Sequence, residues 1–480
     1  MIRLTLGEVA DIVGGTLRHA DPHTVVTGTV EFDSRQVTPG GLFLALPGER
    51  VDGHDYVAAV TAAGAVASLV TRPVDAPSIE VADGFAALAA LAGAVARRLP
   101  DTVVIGITGS SGKTSTKDLL AQVLARAGRT VAPPGSFNNE LGHPYTVLRA
   151  TPDTRFLVLE TSARGIGHIR YLTGIAQPRI GVVLNVGSAH LGEFGSREAI
   201  AQAKGELVEA LPAEGVAILN ADDPLVAGMA PRTAARVVTY GVDPTADVRA
   251  EGVTFDELMR GRFTLVARGE RAGVALRLVG AHHVSNALAA AAVALECGMA
   301  LGDVAAALGD ATPTSRWRME ITERADGVLV INDAYNANPE SMRAALDALA
   351  AVGRARSGAG GRTFAVLGSM AELGDATDAE HVALGQRAAA LDISRVVAVG
   401  EVARAIGRGT ALEGSWSGTA GWVPDADAAL ALLRAELRAP DVVLVKASRA
   451  AALERVALAL AGDTVTDGDS STAEDGGSSA

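Results

Sequence analysis

The stretch TVVIGITGSSGKTST, Thr102 to Thr116, decides the fold. An apolar, β-branched run from Thr102 to Thr108 reads as a buried strand. It breaks into a glycine-rich turn, and a helical pattern follows from Lys113 to Ala127. The turn is Gly109-Ser110-Ser111-Gly112-Lys113-Thr114, with the spacing Gly-x-x-Gly-Lys-Thr, and Ser115 continues into the helix. Glycines let backbone amides turn inward on phosphate oxygens, and the helix N-terminus adds its positive end. Lys113 would neutralise β/γ charge and the Thr114 hydroxyl could hold Mg²⁺. A strand, this loop and a helix in that order point to nucleotide phosphate binding, with ATP and Mg²⁺ as the expected ligands. The loop leaves the phosphoryl acceptor open.

Working outward, the strand-helix alternation continues. Strand-like runs are expected at Arg155 to Thr161, Arg179 to Val186 and Gly215 to Asn220, with a helix at Ser196 to Leu211. Such alternation predicts a mainly parallel sheet covered by helices on both faces. Near residue 236 the pattern changes. Val237 to Tyr240, Val248 to Val253 and Arg262 to Val266 read as short antiparallel strands, and a helix from about Val284 to Cys297 closes the block. Before Asp101, residues 1–98 form a small α/β unit with strand-like Gly41 to Leu46 and Ala67 to Thr71 and a helical run from Phe85 to Arg98. After Pro313 a second alternating series begins: Val328 to Asn332, a helix at Pro339 to Val352, Thr363 to Leu367, a helix from about Asp378, Val396 to Gly400, Val442 to Lys446 and a final helix to about Leu460. It reads as a Rossmann-like, doubly wound unit. The expected organisation is an α/β chain of three domains, 1–98, 99–313 and 314–462. A tail at 463–480, of Ser, Gly, Asp and Thr with almost nothing apolar, is expected to be disordered.

Composition limits the function classes. The 480 residues are 48% hydrophobic and 20% charged, as in an Ala-rich α/β protein. The net charge is −13, with five acidic residues and no Lys or Arg in the tail, which argues against a nucleic-acid surface. There is no basic n-region before an apolar core, and the most apolar stretches are too short to span a bilayer, so a cytoplasmic protein without membrane insertion is expected. A single cysteine, Cys297, excludes an internal disulfide and a thiolate metal cluster, and reads as a buried small residue.

Three further strings accompany the tight loop: FNNELG at Phe137 to Gly142, AHLGEFGSREAIAQAK at Ala189 to Lys204, and NDAYNANPESM at Asn332 to Met342. With LGSMAELG at Leu367 to Gly374, the chain resembles the Mur ligase family from about residue 30 to about 456. The resemblance implies a UDP-substrate domain, a central ATPase domain and a Rossmann-like C-terminal domain. It also implies an ATP-dependent ligase, expected as a monomer, that joins D-Ala-D-Ala to a UDP-muramoyl tripeptide through an acyl phosphate. In the family pattern, Glu160 and Thr114 ligate Mg²⁺ and His190 a second Mg²⁺. Lys204 matches a lysine that is carbamylated, so that an anion replaces a cation beside the metals. Lys113, Glu160, His190 and Lys204 would then form the catalytic group.

The resemblance assigns nucleotide contacts to Asn286, Arg316 and Asp333, with Arg316 reaching the phosphates from the linker. Asn286 also reads as an N-terminal helix cap. Substrate contacts are expected at Ser34 and Arg35, at Asn138 and Asn139, and on the dipeptide side at Tyr335, Asn336, Asn338, Lys446, Ser448 and Arg449. Lys446-Ala447-Ser448-Arg449 has alanine where the family often has glycine. Three other readings stand beside this one: a sister amino-acid ligase such as a folylpolyglutamate synthase, a nucleotide-gated scaffold, and a phosphotransferase.

Overall fold

A computed structural model describes residues 1–48, 51–188 and 191–462. Its centre is a nine-stranded sheet in the order Glu270–Val279, Arg260–Ala267, Val248–Phe255, Arg236–Gly241, Val216–Asn220, Ile180–Val183, Val103–Thr108, Phe156–Glu160 and Thr130–Val131. From Thr130–Val131 to Val248–Phe255 all neighbours are parallel. Arg260–Ala267 pairs antiparallel with both Val248–Phe255 and Glu270–Val279. This corrects the expectation for Val237 to Tyr240. That run lies parallel to Val216–Asn220, register Val238 to Ile218, because a helical crossover precedes it instead of a hairpin. The long edge strand Glu270–Val279 alternates polar and apolar residues weakly and was not foreseen.

Helices cover both faces of the central sheet. Lys113–Leu124 and His282–Glu296 lie on one face, where Ile105, Ile107 and Ile218 meet Leu119, Leu120, Val123 and Leu288. The run Ala289 to Ala292 is fully buried; side chains this small let the helix axis approach the neighbouring helix and sheet closely. Arg197–Glu209 covers the other face, packing Ile200, Ala203 and Leu207 on Val183, Ala217 and Leu219. Ser196 starts that helix by accepting the Ala199 N–H on its hydroxyl at 3.1 Å.

The first sheet has the order Thr16–Arg18, Ser78–Glu80, Ala67–Val70, Leu42–Leu44, Val30–Glu31. Its helix Gly84–Arg97, capped by Asp83, shares one apolar core with Leu157 and Leu159 of the central sheet. The third sheet runs Glu320–Glu323, Leu329–Asn332, Val442–Lys446, Thr363–Leu367, Arg395–Val399, Thr419–Val423, parallel except at its first pair. Separate apolar clusters lie on its two faces, as a doubly wound sheet requires. Thr419–Val423, mostly exposed at the sheet edge, is a strand that apolar patterning does not reveal. Cys297 is half-buried at the end of its helix, and burial pushes its thiol up to about 12. Among the described residues no helix is long and apolar enough to cross a membrane. The expected tail at 463–480 lies outside the described residues.

Candidate active site

Parallel strands deliver their loops to one end of a sheet, and the loops after Val103–Thr108, Phe156–Glu160 and Ile180–Val183 therefore converge. Gly112 adopts a left-handed φ of +82° immediately before the helix Lys113–Leu124, a conformation that glycine takes without strain. Asn185 braces the loop from the neighbouring strand end. Its carbonyl accepts the Ser110 N–H at 3.1 Å, its Oδ1 accepts the Ser111 N–H at 3.0 Å, and its Nδ2 donates to Ser111 O at 3.2 Å. Lys113 Nζ donates to Gly109 O at 2.8 Å, which keeps the ammonium on the loop. Burial lowers its pKa, the Glu160 charge opposes that shift, and the Arg318 guanidinium adds to it.

Glu160 ends its strand fully buried. Its Oε2 accepts from Thr114 Oγ1 at 3.3 Å and from Ser136 Oγ and Asn138 Nδ2, each at 3.4 Å. Its Oε1 is buried with no hydrogen-bond partner. A carboxylate oxygen in that position lacks the donor or cation that burial demands. Mg²⁺ fits this opening, since it binds through one or two carboxylates and a hydroxyl and takes its remaining ligands from phosphates and water. Among the described residues no group of three His, Cys, Asp or Glu side chains gathers for a metal. The expected ligand His190 lies outside them.

Lys204 comes to the same place from the far side of the sheet. It is buried on Arg197–Glu209, and burial first, then the Lys113 charge, drives its pKa well below the ordinary lysine value. Asn286 also arrives here. It sits a full turn inside His282–Glu296, whose N-cap is Ala281, so it is not a cap. Its Oδ1 would lie 2.7 Å from a Cβ on Gly112, which places the amide against the phosphate loop.

Arg316 and Arg318 lie two residues apart in the linker. The Arg316 side chain is exposed, with the guanidinium over Trp317 at 5.8 Å from the ring centroid. Arg318, two residues on, reaches the loop, donating from Nη2 to Thr114 Oγ1 at 2.9 Å with its guanidinium 4.1 Å over the Tyr335 ring. The sequence singles out Arg316; the alternation of exposed Arg316, buried Trp317 and half-buried Arg318 is set by tertiary packing, which the string does not contain.

The remaining residues divide. Asp333 Oδ2 accepts from the buried Lys446 Nζ at 2.6 Å, and Lys446 also donates to Asn336 O at 2.9 Å. Asp333 Oδ1 accepts the Met319 N–H at 3.0 Å, which ties the linker to the third sheet. Asn338 caps Pro339–Ser357 through a reciprocal pair with Ser341 and points Nδ2 at Ser110 O, 3.5 Å away. Asn138 touches Glu160, and Asn139 Oδ1 accepts the Gly142 N–H at 2.9 Å. Ser448 is buried, with its N–H donating to Ser369 O, and Arg449 pairs with Glu454 at 2.8 Å and lies over Trp317. Ser34 and Arg35 remain in a short turn on the first unit, where Arg35 pairs with Asp33 at 2.7 Å. Asn185, Ser136 and Arg318 are site residues that sequence reasoning missed. Only a strand end placed beside the loop could have pointed to Asn185.

Three family models match the chain in order: the Mur ligase family catalytic domain at residues 28–99, the Mur ligase middle domain at 107–294 and the Mur ligase glutamate ligase domain at 317–449. The chain belongs to the Mur ligase family. A Mycobacterium tuberculosis relative named UDP-N-acetylmuramoyl-tripeptide–D-alanyl-D-alanine ligase is 56% identical, covering 96% of this chain and 98% of the relative. A crystal structure of MurF from Acinetobacter baumannii is 33% identical with a TM-score of 0.84, covering 96% of this chain and 99% of that one. MurF ligase from Thermotoga maritima in complex with ADP is 29% identical with a TM-score of 0.78, covering 91% and 98%. The mixed α/β architecture, with the three Mur ligase domains in order, is that of these relatives.

Proposed function

We propose that this chain is an ATP-dependent ligase that joins D-alanyl-D-alanine to a UDP-N-acetylmuramoyl tripeptide during cytoplasmic peptidoglycan precursor synthesis. The observation that carries the substrate assignment is the 56% identity, over nearly the whole of both chains, to a relative that bears that name. The solved relative with ADP supports ATP as the nucleotide. In this reading residues 1–98 hold the UDP-substrate, 99–313 hold ATP, and 314–462 carry the dipeptide.

The reaction has two steps. The tripeptide carboxylate attacks the γ-phosphorus of ATP, which forms an acyl phosphate and releases ADP. The dipeptide amine then attacks the acyl carbon, loses a proton, and expels phosphate through a tetrahedral intermediate to leave the amide. Lys113 and Arg318 offset the negative charge that crowds the γ-phosphoryl group. Mg²⁺, held by Glu160 and Thr114, would supply Lewis-acid charge at the phosphate oxygens. Lys204 contributes as an anion once it carries CO₂, a reaction that favours the neutral amine left by burial. Asn286 orients the nucleotide beside Gly112. Positioning supplies most of the acceleration, and water must be kept from the acyl phosphate.

The test is direct. Purified protein with ATP, Mg²⁺, UDP-muramoyl tripeptide and D-Ala-D-Ala should yield the pentapeptide with stoichiometric ADP and phosphate. Product formation from D-Glu or diaminopimelate in place of the dipeptide would redirect the assignment to a sister ligase.

A further inference from the structure

Two contacts bring the third sheet's loops against the central unit beside the phosphate loop. Glu340 stands in the first turn of Pro339–Ser357, and its Oε1 accepts both the N–H and the hydroxyl of Ser188, each at 2.9 Å. Ser188 is buried, and its neighbour Gly187 donates its N–H to Ser110 Oγ at 2.9 Å. Glu340 is thereby joined through two residues to the phosphate loop. A Cβ on Gly187 would stand 2.7 Å from Glu340 Cδ, so the carboxylate lies flat against bare backbone.

The second contact is backbone on backbone. Gly192, in the short helix Leu191–Phe194, donates its N–H to Glu372 O at 3.2 Å. A Cβ on Gly192 would stand 2.7 Å from Gly374 N and 3.0 Å from Gly374 Cα. Glu372 holds a left-handed φ of +62° and Gly374 one of +55°. A non-glycine residue in that region is strained, and strain of this kind persists only where the surroundings over-determine it. Here it aims the Glu372 carbonyl across the interface.

We propose that Glu340 and the Glu372–Gly374 turn are positioning elements that grip the central unit at Ser188 and Gly192. They set the distance between the acceptor held on the third sheet and the acyl phosphate formed at the loop. On this proposal they act on the ligation step and leave ATP affinity alone. The inference rests on the ligase reading for its kinetic test and on geometry alone for its structural test.

Gly192→Ala is the sharp probe. Gly192 has no left-handed φ, all three of the nearest atoms its Cβ would meet belong to Glu372 and Gly374, and alanine favours its helix. We expect kcat to fall by about 100-fold, the scale of a misplacement near 1 Å. The ADP dissociation constant and the KM for ATP should stay within about two-fold. X-ray scattering of the ADP-bound protein should report a larger radius of gyration than for the unaltered chain. Glu340→Ala should behave alike, and Glu340→Gln, which keeps an acceptor oxygen for Ser188, should recover most of the rate. Unchanged kcat with unchanged scattering in Gly192→Ala overturns the proposal, as does an equal loss of ADP binding. If Gly192→Ala does not fold, Glu340→Ala and Ser188→Ala carry the same measurements. Failure of the unaltered chain to ligate counts against the function, while the scattering comparison still decides the contact.

Discussion

An amine on an exposed helix face is a cation at neutral pH. The same amine at Lys204, sealed under the central sheet with Lys113 as its charged neighbour, is driven toward the neutral form. A neutral amine adds CO₂ by forming an N–C bond and giving up a proton, which leaves an anion where a cation would repel a metal. Lys204→Ala should lower kcat by about 100- to 1,000-fold, as loss of a buried electrostatic group does. Added bicarbonate should not restore it. Carbon-13 NMR after growth or exchange with labelled bicarbonate should show a carbamate carbonyl in the unaltered protein and none in the variant. Full activity in Lys204→Ala would remove the residue from the mechanism. Glu160 carries the complementary chemistry, since its orphan Oε1 is the buried acceptor with most to gain from a cation.

At the scale of elements, the short helix Gly142–Val147 joins the first unit to the central sheet. Tyr145, buried among Phe32 and Phe137, donates its hydroxyl to Glu31 Oε2 at 2.8 Å and accepts from Arg149 Nη1 at 2.7 Å. Burial, then the hydrogen bond to Glu31, raises its pKa from 10.0 to about 12. The sign follows from linkage: the folded state keeps a proton that the unfolded chain gives up. The resulting stability is fully present below pH 10 and is lost as pH rises through about 12. Tyr145→Phe should destabilise by about 1–3 kcal/mol at pH 7, because it leaves a buried acceptor without its donor. Denaturant titrations should show the gap between variant and unaltered protein closing across that alkaline window, and a constant gap would locate the effect in packing alone.

At the scale of the molecule, the linker arginine Arg318, just before the first strand of the third sheet, donates to Thr114 of the phosphate loop and so joins that unit to the central one. Chemistry coupled in this way should depend on both substrates. Phosphate release measured with ATP and the tripeptide should be slow without D-Ala-D-Ala and rise when it is added; brisk release without the dipeptide would show that the units close without regard to the acceptor. The local pattern was enough to read the parallel strands and the phosphate loop, because an apolar run, a glycine turn and a helix are short-range events: Thr363–Leu367 and Val442–Lys446 appear as expected to the residue. Edge strands such as Thr419–Val423, the parallel placement of Arg236–Gly241 and the contact of Arg318 with Thr114 were not legible. Each depends on which neighbour a segment meets across the fold, and a chain read in order contains no distances between remote residues. The sequence by itself determined the chemistry available: a phosphate loop, one strand-end carboxylate and a lysine on a helix. Only the tertiary structure decided which of these groups share one buried space, because burial and proximity, which set the Lys204 amine and the unpaired Glu160 oxygen apart from ordinary side chains, exist only once the sheets have packed.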